Sequence, residues 1–219
     1  MTLSLDATQV HLWLIFPEDI KDETLLQRYL ALLSSAERMQ APRFHFAHDR
    51  HRYVVTRASI RTVLSRYAGL APEQWQFTVS SHGRPQIANG HSDAASLSFN
   101  VSHTAGLIAI GVTQNGALGV DVENMNVRPA PIDIADSHFA PEEQSALLAV
   151  PESRRDESFF RYWTLKESYI KARGLGLSIP LNRFSFHLPS DLRSREPLRF
   201  HTAPWPATLH RTGGFGNLA

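Results

Sequence analysis

Apolar residues recur along the chain with two periods, and these periods predict its helices and strands. Apolar and polar residues alternate, as is typical of strands, over residues 10–16, 75–79, 97–101, 184–188 and 198–200. Helical spacing covers residues 24–33, 47–68 and 156–173. Gly69 and Gly174 suit positions just beyond the last two helices, and Pro141 followed by two glutamates predicts the start of another helix.

Two further strand-like runs, residues 107–113 and 117–123, are separated by Gln114, Asn115 and Gly116. Asn-Gly between alternating apolar runs is a strong short-range signal for a β-hairpin. We therefore expect these two runs to pair with each other. Residues 81–85 are predicted as a turn and residues 89–96 as a polar loop.

The succession of strands and helices changes over near residue 105. This pattern predicts an α+β fold of two α/β halves of similar size, residues 1–105 and 106–203, with a cleft between them as the expected ligand site. Residues 204–219 are rich in Pro and Gly and lack strand patterning, so we expect a poorly ordered tail.

Composition excludes several classes of protein. The 219 residues are 42% hydrophobic, yet no apolar run approaches the roughly 20 residues of a membrane helix. The N-terminus lacks the pattern of a secretory signal, so we expect a cytoplasmic protein without a membrane partner. The absence of cysteine excludes disulfides, thiolate metal sites and a cysteine nucleophile.

The net charge of +1 does not imply a surface that binds nucleic acid, but its distribution is uneven. Seven arginines lie between Arg38 and Arg66, and Asp49 is the only acidic residue among them. The planar guanidinium matches phosphate oxygens, which favours a phosphate-rich ligand. A solvated helix face is the alternative, and charge alone does not exclude it.

The sequence Gly-Val-Asp-Val-Glu at residues 119–123 carries the first candidate chemistry. In a strand, Asp121 and Glu123 would share one face. Neighbouring carboxylates repel each other unless a cation lies between them, and carboxylate oxygens suit hard ions such as Mg²⁺. A solvated acidic strand end is the alternative.

Two other motifs place polar groups at defined spacings. In Trp-Thr-Leu-Lys-Glu-Ser-Tyr-Ile-Lys, residues 163–171, Glu167 and Lys171 lie four positions apart and share a helix face, which is also typical of an ordinary surface ion pair. In Phe-Asn-Val-Ser-His, residues 99–103, a strand ends in polar residues just before the predicted hairpin. Ser102 or His103 could therefore contact a phosphate near the two carboxylates.

Together and in this order, these motifs resemble the surfactin-type 4′-phosphopantetheinyl transferase family over residues 43–186. The family's Gly-Lys-Pro is similar to Gly83-Arg84-Pro85, with arginine in place of lysine. The resemblance implies two pseudo-twofold-related halves, with coenzyme A and Mg²⁺, or Mn²⁺ in its place, in the cleft. A chain of this length implies a monomer. Members of the family usually end in an apolar strand after a position near Trp205, and residues 211–219 depart from this pattern.

The implied reaction moves 4′-phosphopantetheine onto a serine of an acyl or peptidyl carrier protein and releases 3′,5′-ADP. Fatty-acid, polyketide and nonribosomal-peptide carriers all remain open as partners. The resemblance implies Asp121, Glu123 and Glu167 as ligands of the metal ion, and Asp121, Glu167 and Lys171 as catalytic residues. It implies coenzyme A contacts for Ser102, His103 and Lys171, for Arg43 and Arg52 at the 3′-phosphate, and for Arg84 and Pro85 at the adenine. The base that accepts the serine proton is either Glu167 or a metal-bound water.

Two other functions remain as alternatives. A metal-dependent phosphodiesterase or nuclease would use the same carboxylates and lysine, but the sequence lacks a second cluster of metal ligands. A nucleic-acid-binding module could be built on residues 38–66, but the pI of about 8.2 and the small net charge argue against nucleic acid as a partner.

Overall fold

The computed structural model describes residues 2–90, 92–189 and 198–202, and helices and strands succeed one another along them. The strands are β1 Val10–Ile15, β2 Phe77–Val79, β3 Pro85–Ile87, β4 Leu97–Thr104, β5 Leu107–Gln114, β6 Phe184–His187 and β7 Arg199–Thr202. The α-helices are α1 Glu23–Leu32, α2 Ser35–Gln40, α3 Ala47–Leu64, α4 Ser92–Ala95, α5 Ala135–His138, α6 Pro141–Ala149 and α7 Arg155–Arg173. Short 3₁₀ turns connect several of these elements.

The first core forms between helix α3 and one antiparallel sheet. The sheet has the order β1-β5-β4, with Trp13 opposite Ile110 and Ile110 opposite Val101. Alternate residues of β4 and β5 face α3, where Phe99, Ile108, Ile110 and Val112 are buried with Val55 and Ile60. The opposite face of this sheet is not covered by α3 and faces the second half of the chain.

A second core forms around helix α7, separately from the first. Phe139, Phe159, Ile170 and Phe184 are among its buried residues. Two acidic residues lie in the first turn of α7 and two basic residues in the last, in accord with the helix dipole. Gly174 ends the helix in the left-handed conformation at φ 66°. The predicted α+β fold with two halves is confirmed, since each half has its own long helix and its own core.

The predicted hairpin of residues 107–113 with 117–123 is wrong. Strand β5 pairs with β1 along one edge and with β4 along the other, so no free edge remains for residues 117–123. Asn115 does adopt a positive φ of 53°, but the turn there leads the chain out of the sheet. The hairpin of the structure is β4–β5, and its two-residue loop contains Gly106 at φ 86°.

Several other predictions are confirmed with differences of at most four residues at the ends of the elements. These are β1, α1, α3, the strand at β2, the start of α6 at Pro141, and the whole of α7. The polar loop predicted for residues 89–96 instead contains the short helix α4. The division of the chain at residue 105 stays a prediction; in the structure that position lies in the loop between two paired strands. The predicted tail, residues 204–219, lies outside the described residues.

None of the helices in the described part of the chain combines the length and the apolar character that crossing a lipid bilayer requires.

Candidate active site

A cleft made of two adjoining cavities lies between the halves. The arginine cavity, of about 400 Å³, is bounded by α3, β4 and residues 121–123, and Arg52 and Arg57 line it. The glycine cavity, of about 350 Å³, is bounded by the β2–β3 turn and the end of α7, and Gly83, Gly174 and Gly176 line it. The two cavities share Pro85, Val101 and Lys171 among their lining residues. A single extended ligand could therefore occupy both.

Residues 118–122 cross the sheet face that points away from α3, instead of forming a strand. A Cβ atom on Gly111 would lie 2.6 Å from the Val120 side chain, so the sheet is in close contact with this segment. The side chains of Asn100 and Ser102, alternate residues of β4, accept hydrogen bonds from Val120 N and Val122 N at 2.8 and 3.3 Å. The polar positions of the Phe-Asn-Val-Ser-His motif thus hold the segment that carries the carboxylates.

Gly119 allows this segment to lie directly against helix α7. A Cβ atom at Gly119 would overlap the Ser168 carbonyl oxygen and would lie 2.6 Å from Ala172 N. Any side chain here would therefore push the segment away from the helix. The glycine of the motif brings Asp121 and Glu123 close to Glu167 and Lys171 of α7.

Asp121 and Lys171 form the centre of the site. Lys171 Nζ lies 2.5 Å from Asp121 Oδ1, and it also donates to Ser102 Oγ at 3.1 Å and to Val120 O at 3.3 Å. Asp121 Oδ1 accepts a second hydrogen bond from Ser102 Oγ at 2.9 Å. The other oxygen, Asp121 Oδ2, is buried and has no hydrogen-bond partner among the described residues. Burying a carboxylate oxygen without a partner costs free energy unless a cation or a hydrogen-bond donor contacts it.

Glu167 is half-buried beside this pair. Burial raises the pKa of its carboxyl, the charge of Asp121 raises it further, Lys171 lowers it, and Glu123 raises it. The charges of Asp121 and Glu123 thus both act on the carboxyl of Glu167. Asp121 and Glu123 line the arginine cavity, and Glu167 lines the glycine cavity beside it.

The donor set around Asp121 suits a hard divalent cation. Its carboxylates offer oxygen ligands, which hard divalent cations prefer, and Asp121 Oδ2 has no hydrogen-bond partner among the described residues. Within residues 2–90, 92–189 and 198–202, however, no group of three His, Cys, Asp or Glu side chains is arranged to hold one. The predicted ligand set of Asp121, Glu123 and Glu167 therefore stays a prediction.

The predicted phosphate ligands occupy different positions around the arginine cavity. Arg52 lines the cavity and forms an ion pair with Asp49. His103 lines it as well, and partial desolvation of its imidazole, followed by the charge of Arg52, lowers its pKa. Arg43 is exposed and does not line the cavity, although the next residue, Phe44, does.

The guanidinium of Arg84 connects the β2–β3 turn to helix α7 and to the segment of residues 118–122. Nη1 donates to Ala172 O at 2.9 Å in the last turn of α7, and Nη2 donates to Leu118 O at 3.2 Å. Arg84 and Pro85 also line the glycine cavity, and their contact with adenine stays a prediction. The fork of this arginine allows two carbonyl contacts at once, a geometry that a single lysine ammonium would not reproduce.

Sequence reasoning missed several residues that line the cleft. Tyr53, Thr56 and Arg57 follow Arg52 on one face of α3 and line the arginine cavity. Their spacing of three and four residues in a predicted helix that carries several arginines was the available signal. His82 and Gly176 in the glycine cavity had no comparable signal, because only the fold brings them together.

Comparison with known proteins identifies the family of this chain. The family model of the 4′-phosphopantetheinyl transferase superfamily matches residues 117–214, and the model of the 4′-phosphopantetheinyl transferase N-terminal region matches residues 21–115. The 4′-phosphopantetheinyl transferase HetI of a Nostoc species is 35% identical over 202 residues, covering 92% of this chain and 82% of the relative. The chain belongs to the 4′-phosphopantetheinyl transferase superfamily.

A second relative is more distant. The 4′-phosphopantetheinyl transferase Sfp of Bacillus subtilis is 32% identical over 165 residues, covering 75% of this chain and 70% of the relative. The predicted family and enzyme class are confirmed by these matches. Neither the phosphodiesterase nor the nucleic-acid-binding alternative gains support from them.

Proposed function

We propose that the cleft binds coenzyme A and that the chain transfers 4′-phosphopantetheine from it to a serine of an acyl or peptidyl carrier protein. The observation that carries this proposal is the convergence of Asp121, Glu167 and Lys171 where the two cavities meet. Membership of the superfamily supports the same conclusion.

The charges of the cleft suit the parts of coenzyme A. Arg52, Arg57 and Lys171 line the arginine cavity and are the groups there that would neutralise a phosphate. Arg52 would exchange its ion pair with Asp49 for the phosphate contact. The lining of the glycine cavity includes Pro85, Val101 and Ile170, apolar side chains that suit a heterocyclic ring. Arg43, exposed next to the arginine cavity, remains a candidate for the 3′-phosphate.

Asp121 would hold the Mg²⁺ ion through Oδ2, with Glu123 and Glu167 as further ligands. When bound, the ion supplies positive charge that stabilises the negative charge developing on the pyrophosphate oxygens. Mn²⁺ would serve in its place. The free Oδ2 atom of Asp121 supports this assignment, because the other oxygen already accepts two hydrogen bonds.

In the transfer step, the serine oxygen of the carrier attacks the β-phosphorus of coenzyme A. The bond from that phosphorus to the bridging oxygen breaks, and 3′,5′-ADP leaves. Lys171 would turn from Asp121 toward the phosphate and offer its ammonium as a point charge. His103, at the rim of the arginine cavity, would donate to another phosphate oxygen.

Glu167 is our candidate for the base that accepts the serine proton. Its carboxylate lines the glycine cavity next to Lys171, and a carboxylate is one of the usual general bases. A metal-bound water remains the alternative base. We further propose that the enzyme acts as a cytoplasmic monomer on acidic carriers of fatty-acid, polyketide or nonribosomal-peptide synthesis.

The proposal is tested by incubating apo carrier proteins with coenzyme A and measuring modification by intact-mass spectrometry. We expect transfer with Mg²⁺ and none after chelation of divalent ions. Asp121→Asn keeps a side chain of the same size but removes the charge, and it should slow transfer by a factor of at least about 100. Full activity of the chelated enzyme, or of folded Asp121→Asn and Glu167→Gln, would contradict the metal assignment.

A further inference from the structure

A lysine without exposure to solvent lies inside the second half, next in sequence to Glu167. The Lys166 side chain is 0% exposed. Its ammonium donates to Leu181 O and to Phe184 O, each at 2.8 Å, and lies 2.6 Å from Glu143 Oε2. All three protons of the ammonium therefore have acceptors, and these acceptors come from three parts of the chain.

Glu143 is buried as completely as its partner. Its Oε2 atom also accepts a hydrogen bond from Ala140 N at 2.8 Å, and Oε1 accepts one from Phe186 N at 2.9 Å. The pair thus ties α7 to the start of α6 and to strand β6. Apolar residues of similar size often stabilise a fold as well as a buried ion pair does. Stability alone is therefore a weak explanation for two charges in this core.

Helix geometry connects this pair to the cleft. Successive residues of an α-helix point about 100° apart, so Lys166 shares the core face of α7 with Tyr162 and Ile170. Glu167 and Lys171 lie roughly 100° and 140° around the helix from Lys166, on the side that lines the cleft. Any rotation of α7 about its axis would move these two side chains together.

We propose that Lys166 is a positioning residue for the transfer reaction, whose ion pair with Glu143 fixes the rotation of α7 and so aims Glu167 and Lys171 into the cleft. This inference rests on the proposed function of the cleft. An apolar side chain would pack in the same core but could slide, whereas the lysine must meet three acceptors in fixed directions.

The test compares Lys166→Met with Leu147→Ala. Leu147 is a buried residue of α6 in the same core, and its truncation destabilises that core without removing a polar contact. Because Lys166→Met leaves Glu143 without its partner, the double variant Lys166→Met/Glu143→Leu is also made, in which both charges are replaced by apolar groups. Activity is compared at a temperature where circular dichroism shows each variant to be folded.

We expect both Lys166 variants to lower kcat by about 100-fold at saturating coenzyme A, because a displacement near 1 Å can have that effect. The KM for the carrier should stay within about threefold. The Kd for Mn²⁺ in the presence of coenzyme A, measured by electron paramagnetic resonance, should rise about tenfold. Leu147→Ala should lower the thermal midpoint and leave both kcat and the Mn²⁺ Kd close to their original values.

The inference is overturned if the folded double variant keeps kcat and Mn²⁺ affinity within about threefold of the unchanged protein. It is also overturned if Leu147→Ala loses as much activity as Lys166→Met, since the lysine would then matter only for the core. Failure of the proposed function itself would appear differently, as an absence of transfer by the unchanged protein to any carrier.

Discussion

Replacing Gly119 by alanine tests whether the two halves of the site are positioned by direct backbone contact. The added Cβ would lie 2.6 Å from Ala172 N, whereas ordinary contacts start at about 3.4 Å. The overlap with the Ser168 carbonyl oxygen is closer still, so the segment carrying Asp121 must move away from α7 by more than about 0.8 Å. Such a displacement of a catalytic group can cost about 100-fold in rate.

We accordingly expect Gly119→Ala to lower kcat/KM for the carrier by about 100-fold. Its free energy of unfolding should fall by only about 1–3 kcal/mol, the usual cost of overpacking. The matched control is Gly69→Ala, where an added Cβ meets nothing within 4 Å. Both rates are measured by mass spectrometry on folded protein.

The reasoning is refuted if folded Gly119→Ala transfers within about threefold of the unchanged enzyme. It is also refuted if Gly69→Ala shows an equal loss, because the effect would then not depend on contact with α7. A third variant, Gly119→Ser, should be at least as impaired as the alanine variant, since its side chain is larger.

Three further predictions concern the surroundings of the cleft. Arg43→Glu should weaken binding of coenzyme A more than binding of its 3′-dephospho form in calorimetry, and an unchanged preference would remove Arg43 from the 3′-phosphate site. Arg84→Ala should lower the thermal midpoint by about 10 °C, since it removes two hydrogen bonds from a charged group worth about 3 kcal/mol together, and Arg84→Lys should restore only part of the loss. The lowered pKa keeps His103 neutral at pH 7, and a bound phosphate should raise that pKa, so that binding takes up a proton. Affinity for coenzyme A should therefore gain more between pH 8 and pH 6 in the unchanged protein than in His103→Asn, and equal pH dependence in the two would contradict a phosphate contact at His103.

The sequence predicted the long helices well because their signals are local. Helix α7 carries acidic residues at its start, basic residues at its end and Gly174 beyond it, and none of these signals depends on the rest of the fold. The hairpin predicted at Asn115 failed for the opposite reason. A turn signal indicates that the chain reverses, but it does not show which strand edges are already occupied, and β5 was occupied on both.

The candidate site could be predicted as a set of motifs, but not as an arrangement. Asp121 and Glu123 were expected on one face of a strand, and they do line one cavity, although the segment is held by side chains of β4 instead of by strand pairing. The hydrogen bonds of Asn100 and Ser102 to this segment depend on a crossing over the sheet. No local sequence pattern predicts that a segment crosses the face of a sheet in this way.

The motif of residues 163–171 contains residues of the same type whose roles only the structure distinguishes. As a string, it contains two lysines, either of which could bind a phosphate. In the structure, Lys166 points into the core and is fully paired, whereas Lys171 lies at the junction of the two cavities. Between them, the backbone at Ser168 contacts Gly119 of the segment that carries the carboxylates. One helix therefore anchors the core through Lys166, contacts the neighbouring segment at Ser168, and presents Glu167 and Lys171 to the cleft, each role on a different face. This arrangement requires the rotation of the helix about its axis to be fixed.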